Sequence, residues 1–209
     1  MFKQIILTTF LLLLDIYLFG QISTEDYQVY TAIIKTEILD STKSVAIIRN
    51  GIDSQETTEN TYVTVDNLTS KDLNYKYQIY GWTENYKKVR PTIIDSNCAK
   101  LLIDYCKSQA DKFTLTNSFT QTFETILIKK FPIRQKHIQQ DWQTFYEKYP
   151  GSGGIFSFAI IKYYTEDKTT AINYYWVRRN GLNGHGALVV MTKISGEWRM
   201  KYKTYLWWN

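Results

Sequence analysis

The sequence predicts an α+β domain in which N-terminal helices pack on a C-terminal four-strand antiparallel meander, itself part of a larger twisted sheet. Three observations predict it. Segments with apolar residues at helical spacing come early in the chain. The last quarter holds "IFSFAIIKYY", "TAINYYWV", "ALVVMTKI" and "WRMKYKTYLWW", four runs rich in β-branched and aromatic residues. The connections "TEDK" and "SGE" are short and polar, as hairpins require.

Each element follows from local chemistry. "MFKQIILTTFLLLLDIYLFGQ" has a basic start at Lys3, an apolar core and a small residue, Gly20, at its close. That pattern predicts a signal peptide over 1–20 and a mature chain beginning at Gln21. The apolar run is about ten residues, short of the roughly 20 that span a bilayer. A retained N-terminal anchor is the other reading. Residues 21–209 then form a single domain in the periplasm or outside the cell, with no stable membrane insertion.

Residues 23–39 read as a helix, capped by Ser23 or Thr24, with Tyr27, Tyr30, Ile34 and Ile38 on one side. "KSVAIIRN" (43–50) reads as a short buried strand, "GIDSQETTEN" as a surface loop and "TYVTVDN" as a further strand. Residues 68–92 read ambiguously, with "YKYQIYGW" one candidate for an edge strand. A helix over 97–110, capped by Asp95 or Ser96, faces Leu101, Leu102 and Tyr105 inward. "TFETILIKK" is a strand. A helix follows Pro132 with Trp142, Phe145, Tyr146 and Tyr149 in one stripe, and "YPGSGG" ends it.

The net charge is +5, from 25 Lys and Arg against 20 Asp and Glu. It is dispersed, with no basic face of the kind that binds nucleic acid. Cys98 and Cys106 lie eight residues apart in one predicted helix, a rise of about 12 Å. Bonded cysteines need Cα atoms within about 7 Å, so an intrachain disulfide is not expected. No Cys/His spacing calls for a metal, and no motif calls for a cofactor.

The tail "WQTFYEKYPGSGGIFSF…GLNGHGALVVMTKISGEWRMKYKTYLWW" resembles an uncharacterised family of exported bacterial proteins. Those relatives share a W-x-x-F-Y-x-x-Y-P helix, a glycine-rich hairpin and a K-x-x-G-x-W turn before a terminal tryptophan strand. Trp142, Phe145, Tyr146, Tyr149, Pro150, Ser157, Gly184, Gly186, Lys193, Gly196, Trp198 and Trp207 fit that pattern over about the last 70 residues. The relatives' arginine after the strand serine is Phe158 here. The resemblance implies a fold and export, and no reaction.

"VRRNGLNGHGALVV" has G-x-x-G-x-G, the reverse of a dinucleotide-binding spacing, and runs into a strand. Without a following helix there is no dipole to hold a phosphate. The stretch is a long hairpin connection, its Asn-Gly pairs expected at positive φ and Gly186 at a bulge. Arg178, Arg179 and His185 form a basic lip on it. In "YYWV", Tyr174 and Trp176 share one sheet face, Tyr175 and Val177 the other. An open aromatic face would stack a glycan or anchor a protein. Trp207 and Trp208 point opposite ways, so one of them is core.

Serine or cysteine nucleophiles are poorly supported: His137 and His185 are the only histidines, and Ser152 lacks a nucleophile elbow. Two function classes remain. One is a non-enzymatic exported domain that binds a glycan or a protein, including a toxin it neutralises, through Arg178, Arg179, His185, Tyr174 and Trp176. The other is a cell-envelope polysaccharide hydrolase using Asp141 with Glu147 or Glu166.

Overall fold

The computed structural model describes residues 22–52, 79–82, 88–91, 96–107, 113–116, 118–119 and 123–208. The predicted leader, "TYVTVDN", the Asp95 cap and all but the first two residues of "GIDSQETTEN" lie outside these residues.

Helix α1 (Thr24–Glu37) starts at Ser23, whose hydroxyl accepts from the Asp26 amide while the Asp26 carboxylate accepts from the Ser23 amide. This reciprocal capping box satisfies two of the amides a helix leaves open. Strands β1 (Ser44–Ile48), β2 (Ile79–Trp82) and β3 (Lys88–Pro91) follow, then α2 (Ser96–Lys107) and β4 (Glu124–Ile128). A single 3-10 turn at Gln135–His137 leads into α3 (Ile138–Lys148). The remainder is β5 (Ser152–Phe158), β6 (Lys162–Tyr163), β7 (Thr170–Arg178), β8 (Gly184–Ile194) and β9 (Glu197–Trp208).

The strands form one mixed sheet in the order β3-β2-β9-β8-β7-β5-β1-β4, with β6 also on β7. The meander is β5, β7, β8 and β9, all antiparallel, whereas β1 runs parallel to both β4 and β5. The single run expected over 155–164 is broken. The Ala159 carbonyl accepts from Tyr30 Oη at 3.1 Å and Asn173 Nδ2 at 2.6 Å. Side-chain donors therefore supply hydrogen bonds where the ladder is interrupted.

The helices cover both faces of the sheet rather than packing on one. Tyr30, Ile33 and Ile34 of α1 pack with Val45, Ile47, Tyr175, Val177, Ala187 and Val189 on one side. Leu102 and Tyr105 of α2 pack with Ile172, Tyr174, Leu188 and Val190 on the other. On that second side Trp142 and Phe145 of α3 meet Ala46 and Ile155. The physical reason is the apolar content at both parities of "AINYYWV" and "ALVVM", which has to be covered twice.

Two register shifts in the β8–β9 pair decide which side chains of β9 face α1. Met200 pairs with Met191 and Tyr202 with Val190, so Lys201 is an extra residue. Trp198 and Met200 face α1 before this bulge, and the face then passes to Lys203 and Tyr205. At the second shift Leu206 is extra, and Trp207 emerges on the α2 side with its indole N–H donating to Tyr174 Oη at 3.0 Å.

Both cysteines lie within the continuous α2, as expected, so they do not bond to each other. Cys98 is buried, with Lys201 Nζ 3.7 Å from its sulfur. No helix of the described residues is long and apolar enough to cross a membrane.

Gly186 lies under Trp207. A Cβ there would collide with the indole and stand 2.6 Å from Tyr174 Oη. Gly186→Ala is expected to cost about 1–3 kcal/mol through overpacking. Urea unfolding followed by tryptophan fluorescence measures that loss and reports the displaced indole.

Candidate functional site

The hairpin that drew attention in the sequence divides its residues between the two sides of the sheet. Arg178 and Arg179 are neighbours on an extended chain, so they point opposite ways. The connecting residues do not take the left-handed backbone expected of them: positive φ is confined to Gly151, Gly154, Gly196, Lys168 and Ser195 among the described residues. The hairpin glycines answer to space instead. A Cβ on Gly184 would stand 2.9 Å from the Arg178 Cγ and 3.0 Å from the Val177 carbonyl, and one on Gly181 would meet Ile138.

On the α1 side, Arg179 and His185 join a buried ionic centre around Glu37, the last residue of α1. Glu37 Oε1 accepts from Tyr175 Oη at 2.6 Å and from Lys203 Nζ. Its Oε2 lies 3.2 Å from His185 Nε2 and 3.5 Å from Arg179 Nη2. Arg179 Nη2 also donates to the Glu37 carbonyl at 2.5 Å, which caps the helix end. The Glu37 side chain is 6% exposed and that of Lys203 3%.

The protonation states follow from burial and partners. Burial alone would raise the Glu37 carboxyl, but the His185 hydrogen bond and the Lys203 charge outweigh it and hold the group well below the usual carboxylate range. Burial lowers the His185 imidazole, and its attraction to Glu37 does not fully offset this, so the ring favours its neutral form. A carboxylate only accepts, so Nε2 carries the proton and donates to Glu37. Lys203 Nζ, 3.3 Å from that nitrogen, then has Glu37 as its acceptor rather than His185. The ammonium also sits over the Tyr205 ring at 4.4 Å.

A second carboxylate ties the start of α1. Glu25 Oε1 accepts from Lys193 Nζ at 2.7 Å and from the Trp198 indole N–H. Lys193, Gly196 and Trp198 of the K-x-x-G-x-W turn thus hold the helix, with Gly196 at φ 87 forming the bend. Between helix and turn runs a cavity of about 670 Å³, lined by Gln28, Thr31, Lys35, Glu197 and Arg199 among others.

On the α2–α3 side, Arg178 lies among three half-buried rings. Its guanidinium carbon is 5.3 Å from the Phe131 centroid, 5.8 Å from Trp176 and 5.4 Å from Trp207. Phe131 stands edge-on to Trp176, with centroids 5.6 Å apart. Of the exposed large aliphatic residues, Ile138, 38% exposed, and Leu182, 85% exposed, are the nearest in the chain to Phe131 and Arg178, and Gly181 brings the hairpin tip against Ile138.

The open aromatic sheet face expected from "YYWV" is absent. Tyr174 is 2% exposed under Trp207 and α2, and Tyr175 is fully buried under α1. Trp176 alone of that run stays half-exposed, at the end of the sheet. The Trp208 side chain lies outside the described residues.

The carboxylates considered for hydrolysis have other partners. Asp141 takes Arg134 in a fork, Nη2 to Oδ1 at 2.7 Å and Nε to Oδ2 at 3.0 Å, plus the Arg134 amide. The side-chain bond from Arg134 is the main cause that holds Asp141 down at about 2, the wrong direction for a general acid. Glu147 accepts from Gln143 at 2.9 Å, one turn away on the exposed face of α3, and Glu166 is in an exposed turn. His137 is exposed at the α3 start, and Ser152 bonds within its own turn. Among the described residues no group of three His, Cys, Asp or Glu side chains is placed to hold a metal.

Sequence reasoning missed Glu37, Lys203 and Phe131. The signal for Lys203 was obscured because a bulge reverses the strand parity. Glu37 looked like an ordinary charged residue near a helix end. No family model matches the chain, and neither curated proteins nor solved structures supply a match.

Glu37→Gln is expected to destabilise the fold by about 3–5 kcal/mol, because it leaves Lys203 buried without its counter-charge. Chemical unfolding at neutral pH measures this. Acid should act on the same centre. Both Glu37 and His185 have folded pKa values below their unfolded ones, so each stabilises above its unfolded value and that stability is lost on acidification. The melting temperature should begin to fall below about pH 6.5, where unfolded histidine takes a proton, and more steeply below about 4.5. His185→Gln should remove the upper part of that profile.

Proposed function

We propose that this chain is an exported, non-enzymatic interaction domain, working in the periplasm or outside the cell, whose partner is another protein. The observation that carries the reading is the cluster of Phe131, Trp176 and Trp207, half-exposed around Arg178 on the α2–α3 side of the sheet. Tryptophan and arginine at a partly desolvated surface are the residue types that concentrate binding energy at protein interfaces. The exposed aliphatic groups of Ile138 and Leu182 favour a protein over a glycan, whose hydroxyls find no hydrogen-bonding partner in such side chains. A toxin that the domain neutralises is one partner of this kind.

Arg178 and Trp176, singled out in the sequence, belong to this surface. Arg179, His185 and Tyr174 support it from within: the first two anchor α1, and Tyr174 carries Trp207.

Affinity capture from a cell-envelope extract, with the wild type and a Trp176→Ala, Leu182→Ser variant, tests the reading. A protein recovered by the wild type should bind the variant about 30-fold more weakly, a loss of roughly 2 kcal/mol. A Lys35→Glu variant, altered on the α1 side, should bind as the wild type does. Equal recovery by all three proteins, or retention of polysaccharide alone, would overturn it.

A further inference from the structure

We propose that Arg178 is the receptor for a single carboxylate carried on an apolar body, presented to it by the binding partner. The inference rests on the interaction surface described above and adds the chemistry that surface selects.

Arg178 has no carboxylate within hydrogen-bonding or ion-pair distance among the described residues, and its contacts are with ring faces. A guanidinium carries five N–H donors in one plane, matched to a two-oxygen anion. Ring faces attract the cation without using those donors. Other arginines of the described residues are paired with carboxylates, Arg199 with Glu197 among them. Arg134 meets Asp141 and Arg179 meets Glu37. Arg178 is also held in place: Gly184 leaves room for its stem, and three rings limit its swing.

The surroundings choose between anions. A carboxylate brings one charge to one cation. A phosphate dianion would bring about two, and among the described residues Arg178 is the one cation over these rings: Arg134 is forked onto Asp141, and Arg179 lies on the opposite side of the sheet. Three half-buried rings lower the local dielectric, which strengthens a matched pair and penalises an unmatched charge. The same rings give an apolar body a surface to cover. The carboxylate can come from a chain terminus or from an acidic side chain flanked by apolar residues.

Hexanoate, hexanol and hexyl phosphate serve as probes, read by NMR shifts of the Trp176 and Trp207 indole N–H signals, assigned with Trp→Phe variants. Hexanoate should shift both signals, with hexanol and hexyl phosphate at least about tenfold weaker. Arg178→Met should bring hexanoate down to the hexanol level. Arg178→Lys, which keeps the charge but loses the fork, should fall between them. Peptides with a free carboxyl terminus, or with an amidated terminus and an internal Glu, then separate the two sources. Equal binding of hexanoate and hexanol, or wild-type hexanoate binding by both Arg178 variants, overturns the carboxylate assignment and leaves the aromatic surface standing. No indole shift with any probe removes both.

Discussion

A buried carboxylate at the end of a helix governs much of this structure. Glu37 draws Tyr175 from β7, His185 from β8 and Lys203 from β9 to one point, and Arg179 closes over it from the hairpin. Three adjacent strands and one helix therefore share a single electrostatic centre. Each cation there depends on the same acceptor, so the register of β7, β8 and β9 and the seating of α1 are coupled. At the other end of α1, Glu25 gathers Lys193 and Trp198 and Asp26 accepts from Tyr163 at 2.7 Å. The helix is pinned by carboxylates at both ends, with an apolar face in between.

That arrangement shapes the opposite side of the sheet. Arg179 turns toward Glu37, so Arg178 must turn the other way, beyond the reach of that carboxylate. The cation that emerges finds rings instead of acids. The bulge at Leu206 places Trp207 beside it, and Gly186 gives Trp207 the space to lie on Tyr174. A buried ionic centre and a ring-lined arginine thus arise from consecutive residues at the end of β7, turned to opposite sides by alternation.

Some of this was legible in the residues. The capping box at Ser23, the spacing of Tyr27, Tyr30 and Ile34, and the stripe beginning at Trp142 and Phe145 are local signals, and these side chains are buried or bonded as the spacing implies. The meander was legible because its runs are rich in β-branched and aromatic residues and two of its connections are short and polar. The coverage of both faces was present in the double-parity apolar runs of β7 and β8 but is easily read as one face only. The expected φ of the Asn-Gly pairs failed for a different reason: those glycines relieve crowding by Ile138 and the Arg178 stem, which lie far away in sequence or across a strand pair.

The sequence by itself determined the capped start of α1, the aromatic stripe of α3, the strand that follows "RRNGLNGHG", and the separation that keeps Cys98 from Cys106. These depend on interactions within a few residues. Only the tertiary structure decided which cations are paired. Glu37 and Lys203 are 166 positions apart, and a bulge must shift the parity of β9 before they can meet. Phe131, Trp176 and Trp207 converge on Arg178 from segments far apart in the chain for the same kind of reason. Long-range register places charges and rings together, and no local pattern encodes it.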